Sequence, residues 1–441
     1  WSPGRCLHLD ASARARAGVT RSWVTPPPHR ATSAQLQALY PFVAEGGLGA
    51  GGAYVGRDLL GGAFAFDPWE LYARGRLTSP NMLVIGSIGR GKSSLVKGWL
   101  WRELVFGRRA WVVDPKGEYG ALAAACGVSP VRLAPGGSIR LNPLDPGPAP
   151  DGDRLRRQGE LLASLAAASL GRSLAPQERT AVELALGALD SPARRTPPTL
   201  PAVVEALLAP DEQTAAQVHA DALTLAADGR EVALELRRLV EGDLRGMFDG
   251  PTTAGIDLTA PVVVLDLSAV YSSAALGMFI ICATAWLQAA LVAEAGVRRI
   301  VVVDEAWAVL SDLAIARWLR SSCKLSRAIG VANVIVLHRV SDLAAAGGEG
   351  SEQVRLAQGL LADAETRVIY GQPPGEVAAA RELLGLTSTE ADLLTRLPRG
   401  VALWKVGTRS FLVEHRLAPS ERHLVDTDSR MGAVSGCPQP T

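Results

Sequence analysis

The 441-residue chain has only five cysteines, at 6, 126, 282, 323 and 437, and no two of them form a C-x-x-C pair. Thiols scattered in this way supply neither a disulfide framework nor a zinc site, and they suit a reducing cytosol. Lysine is equally scarce: of 45 basic residues all but five are arginine. With abundant alanine and glycine, this skew reflects a GC-rich genome rather than a function. Excess charge of either sign is missing as well. The formal net charge is +1, so nothing drives the whole chain toward nucleic acid or anionic lipid, and any DNA contact must come from a local patch. There is no internal repeat and no signal-peptide pattern, and the chain starts at Trp1 rather than Met, as a fragment would.

Long apolar runs are nearly absent too. The exception is 274–293, AALGMFIICATAWLQAALVA, a segment long enough to span a bilayer. Alanine supplies much of its apolarity, Gln288 interrupts it, and strand-like runs at 262–267 and 300–304 flank it. These features predict a buried core helix of an α/β fold.

Against this background the string GSIGRGKS at 86–93 stands out. It has the G-x-x-x-x-G-K-[ST] spacing of a P-loop, between the apolar run 82–85 and a helix-like stretch from Ser94. Glycines at such positions let backbone N–H groups turn toward phosphate oxygens, and the helix N-terminus adds its positive dipole end. Gly86, Ser87, Ile88, Gly89, Arg90, Gly91, Lys92, Ser93 and Ser94 are therefore the expected phosphate cradle for ATP. Lys92 would reach the β- and γ-phosphates, and Ser93 would hold Mg²⁺. The run RRIVVVDEAW at 298–307 reads as a Walker B strand. Asp304 would hold Mg²⁺ and Glu305 would polarise the attacking water as general base.

Strand 110–114 leads into DPKGEYG, placing Asp114, Lys116 and Glu118 at the carboxyl edge of a sheet, where ligands bind in open α/β folds. They are candidates for contact with the nucleotide, the water or nucleic acid. LNPLD at 141–145 is a loop signal without obvious chemistry. Strand 333–337 ends in His338-Arg339, so His338 can touch the γ-phosphate and report its loss. The basic stretch 317–327 can supply an arginine finger to a neighbouring subunit.

The expected organisation is a linker or truncated region at 1–35, then an α/β core over 36–150 and 250–418 with a mainly parallel sheet. An all-helical insertion over 151–249 interrupts the core, and a flexible tail covers 419–441. Gly61-Gly62 suits a hairpin turn, and 401–404 with 411–414 read as a second hairpin.

The order GSIGRGKS, WVVDPKGEYG, LNPLD, helical insertion, IVVVDEAW, then a strand ending in a polar residue resembles the VirB-type (TraC-like) ATPases. These energise type IV secretion and conjugative transfer, within the HerA/FtsK superfamily of P-loop motors. The resemblance runs over roughly 40–415, and includes YVGRDLLGGAFAFDPWELY at 54–72 and LTSTEADLLTRLPRGVALWKVG at 386–407. It implies a RecA-like core, Mg²⁺-dependent ATP hydrolysis and a homo-hexamer. The expected location is the cytoplasm, peripheral at the inner face of the cell membrane, with secretion-channel and coupling proteins as partners. DNA is a candidate substrate or stimulator. His338 stands where the superfamily often has Gln, and Arg90 replaces a small residue. Arg327 lies near the position of trans-acting arginines, and Arg367 is a second candidate. Two other readings remain open at this point: a HerA/FtsK-type translocase acting directly on DNA, and a nucleotide-gated assembly scaffold with little hydrolysis.

Overall fold

The structure is a computed structural model that describes residues 47–49, 51–145, 151–190, 197–257, 259–273, 276–291, 297–306, 316–317, 320, 330–339 and 352–426. Among them eleven strands form one sheet. In chain order they are β1 (Ala53–Asp58), β2 (Ala63–Phe66), β3 (Met82–Ile85), β4 (Arg109–Asp114), β5 (Val131–Arg132), β6 (Val262–Asp266), β7 (Arg299–Val303), β8 (Val331–Leu337), β9 (Thr366–Tyr370), β10 (Val401–Val406) and β11 (Arg409–His415). Their spatial order is β2-β1-β11-β10-β9-β3-β8-β7-β4-β6-β5. From β9 to β5 all neighbours are parallel, while β10, β11, β1 and β2 add an antiparallel wing.

Continuous apolar runs make this arrangement because both faces of the parallel strands are covered. Every residue of β3, β7 and β8 is buried. Val84, Val112, Val302 and Val334 pack on one face with Leu95, Val96, Trp99 and Leu100 of the helix that follows β3. Leu83, Ile85, Val113, Val303 and Ile335 pack on the other, in one continuous core with the helices between β5 and β6. The polar exception in β8 is Asn333, whose N–H and side-chain amide both donate to Asn81 Oδ1, at 3.1 and 2.9 Å. A buried amide without such partners would be costly.

The helices are α1 (Pro68–Ala73), α2 (Lys92–Glu103), α3 (Gly120–Ala125), α4 (Asp151–Leu170), α5 (Pro176–Leu189), α6 (Leu200–Leu208), α7 (Glu212–Ala216), α8 (Ala222–Glu241), α9 (Leu276–Leu291), α10 (Glu352–Asp363), α11 (Val377–Leu383), α12 (Ser388–Leu394) and α13 (Arg422–Val425). Helices α4 to α8 occupy the stretch between β5 and β6. Leu225, Val232, Leu236 and Leu239 form the buried stripe of α8 at helical spacing. The apolar segment of the sequence becomes α9, whose Phe279, Ile280, Ala283 and Leu287 are buried. No helix among the described residues is long and apolar enough to cross a membrane.

Two local features depart from the sequence reading. The first is β5, only two residues long and too short to leave a periodic signal. The second is 419–425, expected as flexible tail, which forms a 3-10 turn (Pro419–Glu421) and then α13, packed on α2 and α3. Leu424 is buried there, and Glu421 pairs with Arg102 of α2 at 2.7 and 2.5 Å. The first hairpin, β1–β2, pairs through β1 with β11, and Gly56 makes that approach possible. A Cβ at Gly56 would stand 2.0 Å from Glu414 O.

His415 closes β11 beneath α13. Burial, with help from the charge of Arg102, lowers its pKa from 6.5 to about 4, although Glu421 pulls the other way. The unfolded chain takes up this proton near 6.5 and the folded chain only near 4. Stability is therefore lost as pH falls through that window, by on the order of 3 kcal/mol. His415→Gln should shrink the loss of unfolding free energy between pH 7 and pH 4.5, measured by urea titration. An equal loss in the variant would assign the acid sensitivity elsewhere.

Candidate nucleotide-binding and hydrolysis site

The site lies at the carboxyl edge of the parallel strands and grows from β3. The loop 86–91 leaves β3 and enters α2, with Gly89 at φ +76° and Gly91 at φ +110°. These left-handed values suit glycine and strain other residues. Gly86 is required for space: a Cβ there would stand 2.5 Å from Tyr370 Cβ. Gly91 caps α2 without a side-chain hydrogen bond, so the helix presents backbone N–H groups and its positive dipole end. Ser93 and Ser94 are half-buried in the first turn, Ser87 is half-buried in the loop, and Ile88 is 80% exposed at its tip. Arg90 does not face the cradle. Its Nη1 donates to Leu397 O at 3.4 Å while its own carbonyl accepts from Gly400 N at 3.0 Å. The arginine that the sequence left unexplained thus ties the loop to the segment before β10.

Lys92 is 5% exposed. Its ammonium donates to Gly86 O at 2.5 Å and Ser87 O at 3.1 Å, and lies 3.2 Å from His338 Nδ1. Burial lowers its pKa to about 8, with Asp304 and Glu305 opposing the shift. Asp304 follows β7. Burial, then the charge of Glu305, pushes its carboxyl up to about 6. Asp304 Oδ1 accepts from Glu305 N at 2.9 Å, and Oδ2 lies 3.3 Å from the Tyr119 hydroxyl. Glu305 adopts φ +54°, a rare conformation for a residue with a side chain. That turn aims its carboxylate at His338 Nε2, 2.6 Å away, and at the ammonium of Lys116.

These contacts define a relay. Lys92 can only donate, so His338 Nδ1 accepts, and Nε2 carries the proton that is donated to Glu305. Lys116 also lies 3.3 Å from His338 Nε2, but two donors cannot bond, so its partner is Glu305. Burial pulls Lys116 down and Glu305 more than offsets it, leaving the group above its usual value. Four side chains from four separate segments meet here, on the phosphate side of the loop.

The rest of the DPKGEYG turn makes contacts within the protein. Asp114 is 1% exposed and accepts from Lys116 N at 3.3 Å and Tyr119 N at 2.9 Å. Its carboxylate shapes its own turn, and burial raises it. Glu118 pairs at 3.8 Å with Lys97, a buried residue of α2. The sequence reading missed Tyr119, whose only signal was an aromatic at the edge of the motif. Arg327 lies outside the described residues. Arg367 donates to Leu361 O, Ala364 O and Leu384 O at 3.1, 3.1 and 2.8 Å. Its guanidinium is engaged by carbonyls at the ends of α10 and α11.

The residues fit Mg²⁺ of the kind that shares its ligands with phosphate. No cluster of three His, Cys, Asp or Glu side chains forms a metal cage among the described residues. Magnesium at phosphate sites is held by one or two protein oxygens plus the substrate, and the Ser93 hydroxyl and Asp304 are such a pair.

Removing Arg367 should act on stability alone. Arg367→Ala should lower unfolding free energy by about 1–3 kcal/mol, because buried carbonyls lose their donors. Turnover per folded subunit should keep its dependence on protein concentration. A selective loss of turnover in oligomers, with unchanged melting temperature, would restore the finger assignment.

No family model and no curated protein matches the chain. Solved structures do. VirB4 of Thermoanaerobacter pseudethanolicus matches over 86% of this chain and 100% of its own, with 23% identity and a TM-score of 0.68. The plasmid coupling protein TrwB in complex with ADP and Mg²⁺ matches over 77% of this chain and 86% of its own, with 16% identity and a TM-score of 0.52. TrwB in complex with the ATP analogue ADPNP is similar over the same share, at 17% identity and a TM-score of 0.51, covering 85% of that chain. The chain therefore has the fold of the RecA-like P-loop NTPases, with VirB4 and TrwB among its structural neighbours.

Proposed function

We propose that this chain is an ATP-hydrolysing motor subunit that energises type IV secretion or conjugative transfer. The observation that carries hydrolysis is the placement of Glu305, a strained carboxylate linked through His338 to the P-loop lysine. A scaffold that only binds nucleotide has no use for such a base. The likeness to VirB4 along its entire length supports the secretion reading. Near-zero net charge disfavours direct gripping of duplex DNA. On this reading the working form is a homo-hexamer at the inner face of the membrane, contacting channel and coupling proteins.

The chemistry follows from what each side chain must give up. Backbone N–H groups of 86–93 receive the phosphates of ATP. Lys92 leaves the Gly86 and Ser87 carbonyls for the phosphate oxygens, since an ammonium buried at a pKa of about 8 gains more from a phosphate than from a carbonyl. Ser93 and Asp304 would hold Mg²⁺, whose charge would offset that of the phosphates when bound. Departure of Lys92 frees His338 Nδ1, so loading of the P-loop is felt at Glu305 through one imidazole. Glu305 then orients and deprotonates water.

Steady-state ATP hydrolysis with Mg²⁺, with and without single- and double-stranded DNA, tests the reading. Lys92→Ala should abolish turnover and weaken ATP binding. Glu305→Gln should bind ATP normally and lose roughly 10²–10⁴-fold in kcat; normal turnover in that variant would remove Glu305 as base. Strong stimulation by DNA would favour a translocase that grips nucleic acid. For the relay, His338→Gln should keep most of the activity, because an amide can accept from Lys92 and donate to Glu305. His338→Ala should lose roughly 10–100-fold in kcat with little change in KM. Equal activity of the two variants would dismiss the relay.

A further inference from the structure

Tyr119 ends the DPKGEYG turn and is fully buried, in one apolar cluster with Leu95, Val96 and Trp99 of α2. A phenylalanine would fill that space equally well. A buried phenol differs in needing a partner for its hydroxyl, and here the partner is Asp304: the Tyr119 hydroxyl donates to Asp304 Oδ2 at 3.3 Å. Two further contacts fix where that hydroxyl stands. Asp114 Oδ2 accepts from Tyr119 N at 2.9 Å, which ties the residue to the end of β4. Lys97 of α2 lies over the ring, its Nζ 5.1 Å from the centroid. Lys97 is itself fully buried, its Nζ has no hydrogen-bond partner among the described residues, and Glu118 lies 3.8 Å away. The ring face and that carboxylate are what a cation at this depth has to hold it. They join the turn to the same helix that begins with Lys92 and Ser93.

We propose that Tyr119 is a positioning residue for the reaction: its hydroxyl fixes the orientation in which the Asp304 carboxylate meets Mg²⁺. The proposal rests on the ATPase reading above and adds a residue to it. A carboxylate has about four lone-pair sites. In Asp304 one on Oδ1 takes Glu305 N and one on Oδ2 takes the Tyr119 hydroxyl, so each oxygen keeps another for a cation or its water. With a donor on each oxygen, the group cannot rotate about its last bond without breaking a hydrogen bond. Without the phenol, Oδ2 loses a donor at a site only 6% exposed, and the carboxylate is free to turn. Donors that orient a metal-binding carboxylate in this way govern how tightly the metal is held.

Calorimetric titration of the full chain with ADPNP across a series of free Mg²⁺ concentrations tests this without any turnover. Tyr119→Phe keeps the ring under Lys97 and removes only the hydroxyl. The Mg²⁺ concentration that gives half of the gain in affinity should rise roughly 10–100-fold. Affinity for ADPNP in EDTA should stay within roughly twofold of wild type. In an Asp304→Asn background the same substitution should leave the Mg²⁺ requirement within roughly twofold, because the group it positions is gone. An unchanged Mg²⁺ requirement in Tyr119→Phe, whatever its melting temperature, overturns the proposal and leaves the phenol a core residue. So does an equal fall in affinity with and without Mg²⁺, the mark of a distorted loop. A shift of the same size in the Asp304→Asn background overturns it too, since the hydroxyl would then act elsewhere. A wild-type chain that gains nothing from Mg²⁺ fails the ATPase reading and this proposal with it; that result is recognisable because Asp304→Asn is then silent as well.

Discussion

Two ammonium groups and two carboxylates share a buried space at the carboxyl edge of the sheet, and each is tolerable there only because of the others. Lys92, Asp304 and Glu305 are all at most 6% exposed. An isolated charge at that depth would neutralise itself or destabilise the fold. Lys116 and His338 complete the set, so that positive and negative groups alternate along a short chain of contacts. The shifted values of Lys92 and Asp304 are the residue of that bargain: burial moves each toward its neutral form, the neighbouring carboxylates only partly restore Lys92, and the charge of Glu305 pushes Asp304 further. A site so balanced responds to the arrival of a polyanion, because one new negative charge rearranges every pairing.

The sheet exists to bring these groups to one edge. Parallel strands release their carboxyl ends on the same side, so β3, β4, β7 and β8 deliver Lys92, Lys116, Glu305 and His338 from positions up to 246 residues apart in sequence. The buried, mostly apolar faces of those strands hold the edge in place. At this edge strain sits where the chain must turn sharply, at Glu305 and at the loop glycines; His219, between two helices of the insertion, is the other non-glycine residue with positive φ among the described residues.

Much of this was legible in the sequence. Unbroken Val/Ile runs announced the parallel strands, and the P-loop and Asp304-Glu305 declared themselves by spacing. What escaped was anything set by long-range partners. Nothing local distinguishes Lys116, which reaches Glu305, from Asp114, which folds back on its own turn, because both are charged residues in one short loop. Arg367 looked available until the helix ends around it were in place. Residues 419–425 lack periodicity because α13 is a single short helix, anchored by Arg102 and Leu424 rather than by an amphipathic pattern.

The edge pairing of β1 with β11 bears on how the molecule is made. The first strand of the sheet finds its neighbour about 350 residues later, at Gly56↔His415 and Asp58↔Val413. Gly400, which steadies the P-loop through Arg90, also belongs to that late stretch. A chain emerging from the ribosome therefore holds the β1–β2 hairpin unpartnered on its β1 edge until β11 has been made. Such non-local closure is slow. The phosphate loop gains its last support only once Gly400 and β11 have been made, so the order of synthesis itself delays the nucleotide site until the whole sheet is closed.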